Sequence, residues 1–214
     1  GLIKLSDLNK KLAKENNFKI DDNVHAPEHA LEVEVPFIQR VLPDAKLTPI
    51  IVGQLNLRQQ EQFAKTLEQY LDDQTVLVVS VDLSHYHDYQ TAVELDNDSM
   101  KNILGLDING ILNNEIDASW ALASVLKLAE KNNWQPQLID YKNSGDITGD
   151  KSRVVGYSSI IFYEMNKKST QDDYDKEEKE ELLKLARKTV EMYLNEGKIF
   201  EPQTENKKFL EIGR

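Results

Sequence analysis

Four polar side chains close an apolar run. The stretch TVLVVSVDLSHYH, Thr75 to His87, passes from Val and Leu to Asp82, Ser84, His85 and His87. A carboxylate three residues before an imidazole offers two kinds of chemistry. Both groups ligate iron, zinc or copper, and a second imidazole would complete a facial set with open positions. The same pair can also move a proton, because an imidazole titrates near neutral pH and a carboxylate orients it. The other two histidines of the chain, His25 and His29, lie near Pro27-Glu28. His29 is the candidate partner for Asp82 and His85. His25 and His87 sit among polar residues and are expected to be exposed. A local reading competes on spacing alone: Asp82 and Ser84 cap the next helix, and His85 is an ordinary half-buried imidazole. The pattern leaves both open.

A second charged group, Asp150, Lys151 and Arg153, follows Gly149 in NSGDITGDKSR. It is not a phosphate loop. The spacing from Gly145 is one residue short, Asp150 interrupts Gly-Lys, and a strand rather than a helix is expected next. Lys151 and Arg153 remain candidates to anchor a carboxylate or enolate substrate, against the plainer reading of solvated turn charges. No Gly-x-Ser-x-Gly elbow supports a serine hydrolase.

These residues need a scaffold. Val76–Val81 is apolar without alternation, as in a strand covered on both faces, and ligands of open α/β sheets bind beyond the carboxyl ends of such strands. Leu47–Val52 reads as a second short buried strand. Gln137–Tyr141 and Val154–Tyr163 read as two more. Helices are expected over Ser6–Asn17, Leu57–Leu71, Tyr89–Leu104 and Ser119–Asn132 from their apolar spacing. Leu31–Leu42 is ambiguous, because Leu31, Val33 and Val35 alternate while Leu31, Val35, Ile38 and Leu42 share a helical face, with Pro36 in the middle. Asn143–Ser152 reads as a turn-rich loop. Strands alternating with helices predict an α/β domain with a largely parallel sheet. Residues 167–176 read as a linker. A new helix is expected from Glu177 to Gly197, with Leu182, Leu185, Ala186, Val190, Tyr193 and Leu194 along one stripe.

Composition narrows the partners. The 214 residues carry a net charge of -11, which argues against nucleic acid. With no cysteine, disulfides, thiolate ligands and thiol nucleophiles are excluded, and a reducing cytoplasm is the expected compartment. No apolar run approaches the ~20 residues of a membrane helix. The start on Gly1 and the end on Gly213-Arg214 suggest a fragment.

Three motifs together, HAPEHALEVEVPFIQ (His25–Gln39), VVSVDLSHYHDY (Val78–Tyr89) and NSGDITGDKSRVVGYSS (Asn143–Ser159), resemble the Memo-like family, whose prokaryotic branch is AmmeMemoRadiSam system protein B. Glu181–Pro202 resembles the opening of an AMMECR domain, protein A of the same system. The resemblance implies a Memo-like domain over 1–166, a linker at 167–176 and a truncated AMMECR start over 177–214. It implies a three-layer sandwich similar to class III extradiol dioxygenases, a helical Glu28–Val41 segment, and His29, Asp82 and His85 facing one metal pocket. The family's other metal-facing His belongs to a motif upstream of Gly1, and the pocket Cys of the animal branch falls at Ile147. The implied function is a non-haem metal-dependent oxidoreductase holding Fe(II), Cu or Zn, with a small-molecule substrate. The alternative is a non-catalytic module that binds a small ligand or protein and works with AMMECR and radical-SAM partners.

Overall fold

A computed structural model describes residues 3–164 and scattered helical positions between 177 and 192. The chain divides into two compact units, Gly1–Met165 and Asn166–Arg214. Most of the expected linker and late helix lies outside the described residues. Glu177, Glu180, Glu181, Lys184, Leu185, Lys188 and Met192 are helical.

The first unit is a mixed α/β arrangement. In chain order it holds β1 (Lys4–Leu5), α1 (Leu8–Leu12), α2 (Asp22–His25), α3 (Ala30–Val41), β2 (Lys46–Leu47), α4 (Leu57–Glu68), β3 (His85–His87), α5 (Tyr89–Leu104), α6 (Ile108–Asn113), α7 (Ser119–Lys131), β4 (Trp134–Asn143), α8 (Ser144–Thr148) and β5 (Val154–Glu164).

The sheet corrects the expectation of largely parallel strands. β1 and β2 are a short parallel pair, but the main sheet, in the order β3-β5-β4, is antiparallel. The reason lies in Thr48–Val52 and Val76–Val81. Strands were expected over Leu47–Val52 and Val76–Val81, yet apart from Leu47, which ends β2, neither segment makes a backbone hydrogen bond to any described residue. Val76 and Val78 are 74% and 54% exposed, so this is not a doubly covered strand either.

Helices settle the ambiguous segment. Ala30–Val41 is α3, with Pro36 inside it. The Glu28 carboxylate accepts the N–H groups of His29 and Ala30, both at 2.8 Å, and so satisfies the first donors of the helix. α5 starts at Asp88, whose carboxylate accepts Gln90 N–H and Thr91 N–H. That corrects the capping alternative, because neither Asp82 nor Ser84 caps the helix. The expected loop after Asn143 contains α8, since Asn143 and Asp146 form a reciprocal capping box. Gly149 ends α8 at φ 78°, in the left-handed region that suits glycine.

The main core sits on one face of the sheet. Leu83, Met100, Ile103, Ile111, Leu122 and Leu126 form its centre, and Tyr141, Ile160 and Phe162 pack on it from β4 and β5. A smaller cluster of Ala64, Leu67 and Leu128 joins α4 to α7, and Ile50, Leu77 and Trp134 lean on it.

Candidate metal centre at the Asp82–His87 edge

The edge is fixed by a buried carboxylate beneath it. Asp96, fully buried on α5, accepts Ser84 N–H at 2.8 Å and Tyr141 O–H at 2.6 Å. Burial first, then the bond to Asp96, pushes the Tyr141 phenol far above its usual range. Gly156 makes the arrangement possible, because a Cβ there would lie 1.9 Å from Asp96 Oδ2. Leu83 N–H donates to Gly156 O, and Gly156 N–H donates to Ser84 O. The backbone between Asp82 and His85 is therefore tied to β5 and α5 together.

From this base Asp82 and His85 emerge side by side, with His85 Nε2 3.6 Å from Asp82 Oδ2. Asp117 joins them, and one ligand atom from each of Asp82, His85 and Asp117 lies within 4.8 Å of the others. Asp117 Oδ1 accepts Asp82 N–H at 3.1 Å and Ala118 N–H at 2.6 Å, which anchors its carboxylate at the edge. Burial, followed by the charge of Asp117, raises the Asp82 carboxyl above its ordinary value, while His85 and His29 oppose this. A carboxyl under such pressure gains from a cation.

The donor set fits a divalent ion. Metal–ligand bonds of about 2.1 Å place ligand atoms about 3.0 to 4.2 Å apart, so closing a 4.8 Å spread takes only small side-chain rotations. One imidazole and two carboxylates suit iron, manganese or zinc.

A second pair flanks the first. The Glu115 carboxylate meets His87 Nε2 at 2.9 and 3.0 Å and accepts His85 N–H at 3.2 Å. The bond from His87 holds the Glu115 carboxyl below its ordinary range. Between the histidines Tyr86 has φ 60°, and the register with β5 shifts there, so β3 carries a bulge. On β5, the Tyr157 phenol is raised by burial and by the nearby Asp82 charge.

The other expected residues lie as follows. His29 caps α3 with its side chain 79% exposed, 3.9 Å from Glu28 Oε1. Its charge acts on Asp82, but it is outside the group of three close ligand atoms. Lys151 lies over the Tyr89 ring at 4.1 Å, and Arg153 over the Tyr86 ring at 5.0 Å. Both cations therefore flank the histidine edge. The Asp150 carboxylate is held low by Ser152, whose hydroxyl and N–H it accepts within a local turn. Asp117, Glu115 and Tyr157 were not singled out in the sequence. Their separation of 28 residues or more from their partners leaves no local signal.

Among the described residues no helix is long and apolar enough to cross a membrane.

The profile of the family described as Memo-like protein matches residues 3–161. A MEMO1 family protein of Sulfurisphaera tokodaii is 35% identical over 154 residues, 67% of this chain and 54% of that protein. MEMO1 family proteins of Desulfurococcus amylolyticus and Thermoplasma acidophilum are 30% and 28% identical, over 55% and 59% of their own lengths. The chain thus spans little more than half the length of these curated relatives. With the profile running through the apolar edge, Asp82, His85 and the β4–β5 hairpin, the chain belongs to the Memo-like family.

Proposed function

We propose that this chain carries the His/Asp edge of a non-haem metal pocket, and that the complete domain is a dioxygenase-like oxidoreductase acting on a small molecule. The observation behind this is the approach of Asp82, His85 and Asp117 to one another at an edge where the Asp82 carboxyl is pushed up. Fe(II) is the ion we assign, with Cu and Zn as competitors. When bound, it would supply open positions for O₂ and a chelating substrate. Asp82, Asp117 and His85 are the residues to hold it, and His29 is a further ligand from the start of α3. Where His85 is not a ligand, it moves a proton to or from the substrate, oriented by Asp82. Lys151 and Arg153 at the rim counter a substrate's negative charge. Three further expectations belong to this reading: a class III extradiol dioxygenase-like sandwich, a truncated AMMECR start over 177–214 after a linker at 167–176, and a cytoplasmic location.

Metal content measured by mass spectrometry, on the chain and on Asp82→Ala and Asp117→Ala, tests the reading. Stoichiometric iron, copper or zinc is expected, with at least tenfold weaker retention in both variants. In His85→Gln, loss of metal assigns ligation, while loss of O₂ uptake with metal retained assigns proton transfer. Failure of the unmodified chain to retain any of the three ions overturns the reading.

A second reading is a non-catalytic module that binds a small ligand or works with AMMECR and radical-SAM proteins. The exposure of His29, away from the close group, favours it. Recovery of a radical-SAM partner with no O₂ uptake would support it.

A further inference from the structure

We infer that Asp96 is the positioning residue of the Asp82–His85 edge. Through the Ser84 amide it sets how those two side chains face each other, and so how tightly they hold a divalent ion. The part that concerns the ion rests on the metal reading above; the part that concerns geometry does not.

Neither side of this stretch offers regular support. Before it, Val76–Val81 meets no described backbone partner. After it, Tyr86 stands at φ 60° and the register with β5 shifts between His85 and His87. No helical or strand repeat therefore fixes the spacing from Asp82 to His85. What fixes it is where four successive amides go. Asp82 N–H donates to Asp117 Oδ1 at 3.1 Å and His85 N–H to Glu115 Oε1 at 3.2 Å, both acceptors belonging to exposed residues. Leu83 N–H donates to Gly156 O at 2.9 Å. Ser84 N–H donates to Asp96 Oδ1 at 2.8 Å, the shortest of the four.

That last acceptor is held from several sides. Asp96 and Ser84 are both buried, at 0% and 1% exposure. The second oxygen of Asp96 accepts Tyr141 O–H at 2.6 Å, so the carboxylate is not free to turn away. Tyr141 packs on the helix core from β4, which fixes the donor itself. On β5, Gly156 leaves the room, since a Cβ there would lie 1.9 Å from Asp96 Oδ2. One carboxylate thus joins α5, β4 and β5 directly beneath the edge.

Stability alone is a poor account of this arrangement. No cation pairs with Asp96 among the described residues. A buried carboxylate without one costs more in lost hydration than a single amide bond gains. A neutral acceptor would meet the Ser84 amide at lower cost. What the carboxylate adds is a shorter, stronger bond, and hence tighter placement of the backbone that carries Asp82 and His85. Groups behind metal ligands fix their orientation, and losing one weakens binding about 10- to 100-fold.

The test uses the 214-residue chain and reads Zn²⁺ affinity by calorimetry and, by NMR at fixed pH without metal, the His85 ring shifts and Ser84 amide exchange. The variants are Asp96→Asn and Tyr141→Phe. The control is Leu128→Ala, at a buried position in the α4–α7 cluster. In Asp96→Asn, Zn²⁺ affinity is expected to fall about tenfold or more. Ser84 exchange is expected to quicken about tenfold relative to the amides of α7, and the His85 ring shifts to move. Tyr141→Phe keeps the ring in the core and removes one donor from Asp96. It is expected to change all three readouts in the same direction by a smaller amount, so the test stands even where Asp96→Asn does not fold. Leu128→Ala is expected to lower the denaturation midpoint and leave affinity and ring shifts as they were. Equal losses of affinity in Leu128→Ala overturn the proposal, because the effect is then general destabilisation. Faster exchange with ring shifts and affinity unchanged overturns it too, since Asp96 then supports only the backbone. If the unmodified chain takes up no ion, the metal reading fails by itself. The ring shifts then decide alone, and if they stay unmoved in the Asp96 and Tyr141 variants the proposal falls.

Discussion

The two faces of β5 belong to the same strand, yet they differ in what they have found to pack against. Ile160 and Phe162 on one side meet the helix core; among the described residues, Tyr157, Ile161 and Tyr163 on the other meet no such layer. Alternation in a strand requires that neighbours face opposite ways, but it does not require both sides to be satisfied by the same chain. What this teaches is that side-chain type alone does not measure a residue's contribution. An Ile at position 160 and an Ile at position 161 have the same chemistry and different amounts of water to lose.

The contrast can be broken most sharply at its buried end. Gly156→Ala is expected to cost about 3 kcal/mol or more by forcing Asp96 from its site, read as a lower denaturation midpoint. Leu126→Ala, at a fully buried position, is expected to cost about 3 kcal/mol, whereas Ile161→Ala on the open face should cost under about 1 kcal/mol in the same assay. Equal losses would show that the outer face is already covered. Asp96→Asn is expected to cost about 2 kcal/mol by weakening the bonds to Ser84 and Tyr141.

The smallest effects are linked to pH. The folded Asp82 carboxyl is raised, so its protonated form favours the fold; that contribution is full below the ordinary 3.8 and is lost as pH rises through the folded value. Asp82→Asn should therefore be slightly more stable than the parent at neutral pH and lose the advantage in acid. Glu115 is lowered, so its contribution is present above the ordinary 4.5 and is lost as pH falls through the folded value. Glu115→Gln should be the less stable protein at neutral pH, with the gap closing in acid. Denaturation across pH 3 to 7 reads both signs.

Much of the scaffold was legible. Tyr89–Leu104 is helical over the span its spacing implied, and the two late strands lie where they were expected, though Trp134–Asn143 extends beyond Gln137–Tyr141 at both ends and Val154–Glu164 runs only one residue further. Leu31–Leu42 was not decidable by periodicity, because its apolar residues satisfy both repeats; the Glu28 carboxylate on the first amides decided it. The runs at Thr48 and Val76 failed as strands for a different reason. An apolar sequence can prescribe an extended backbone but cannot prescribe a neighbour, and a strand is defined by its neighbour. At the candidate site, Asp82 and His85 were visible because they are three residues apart. Asp117 reaches them through the fold, from the loop before α7.

The bulge at Tyr86 has a consequence for solubility. A row of free amides and carbonyls invites other molecules to stack into aggregates, and a left-handed residue in the middle of a three-residue strand spoils that row. His85–His87 is thus a poor seed for indiscriminate sheet growth.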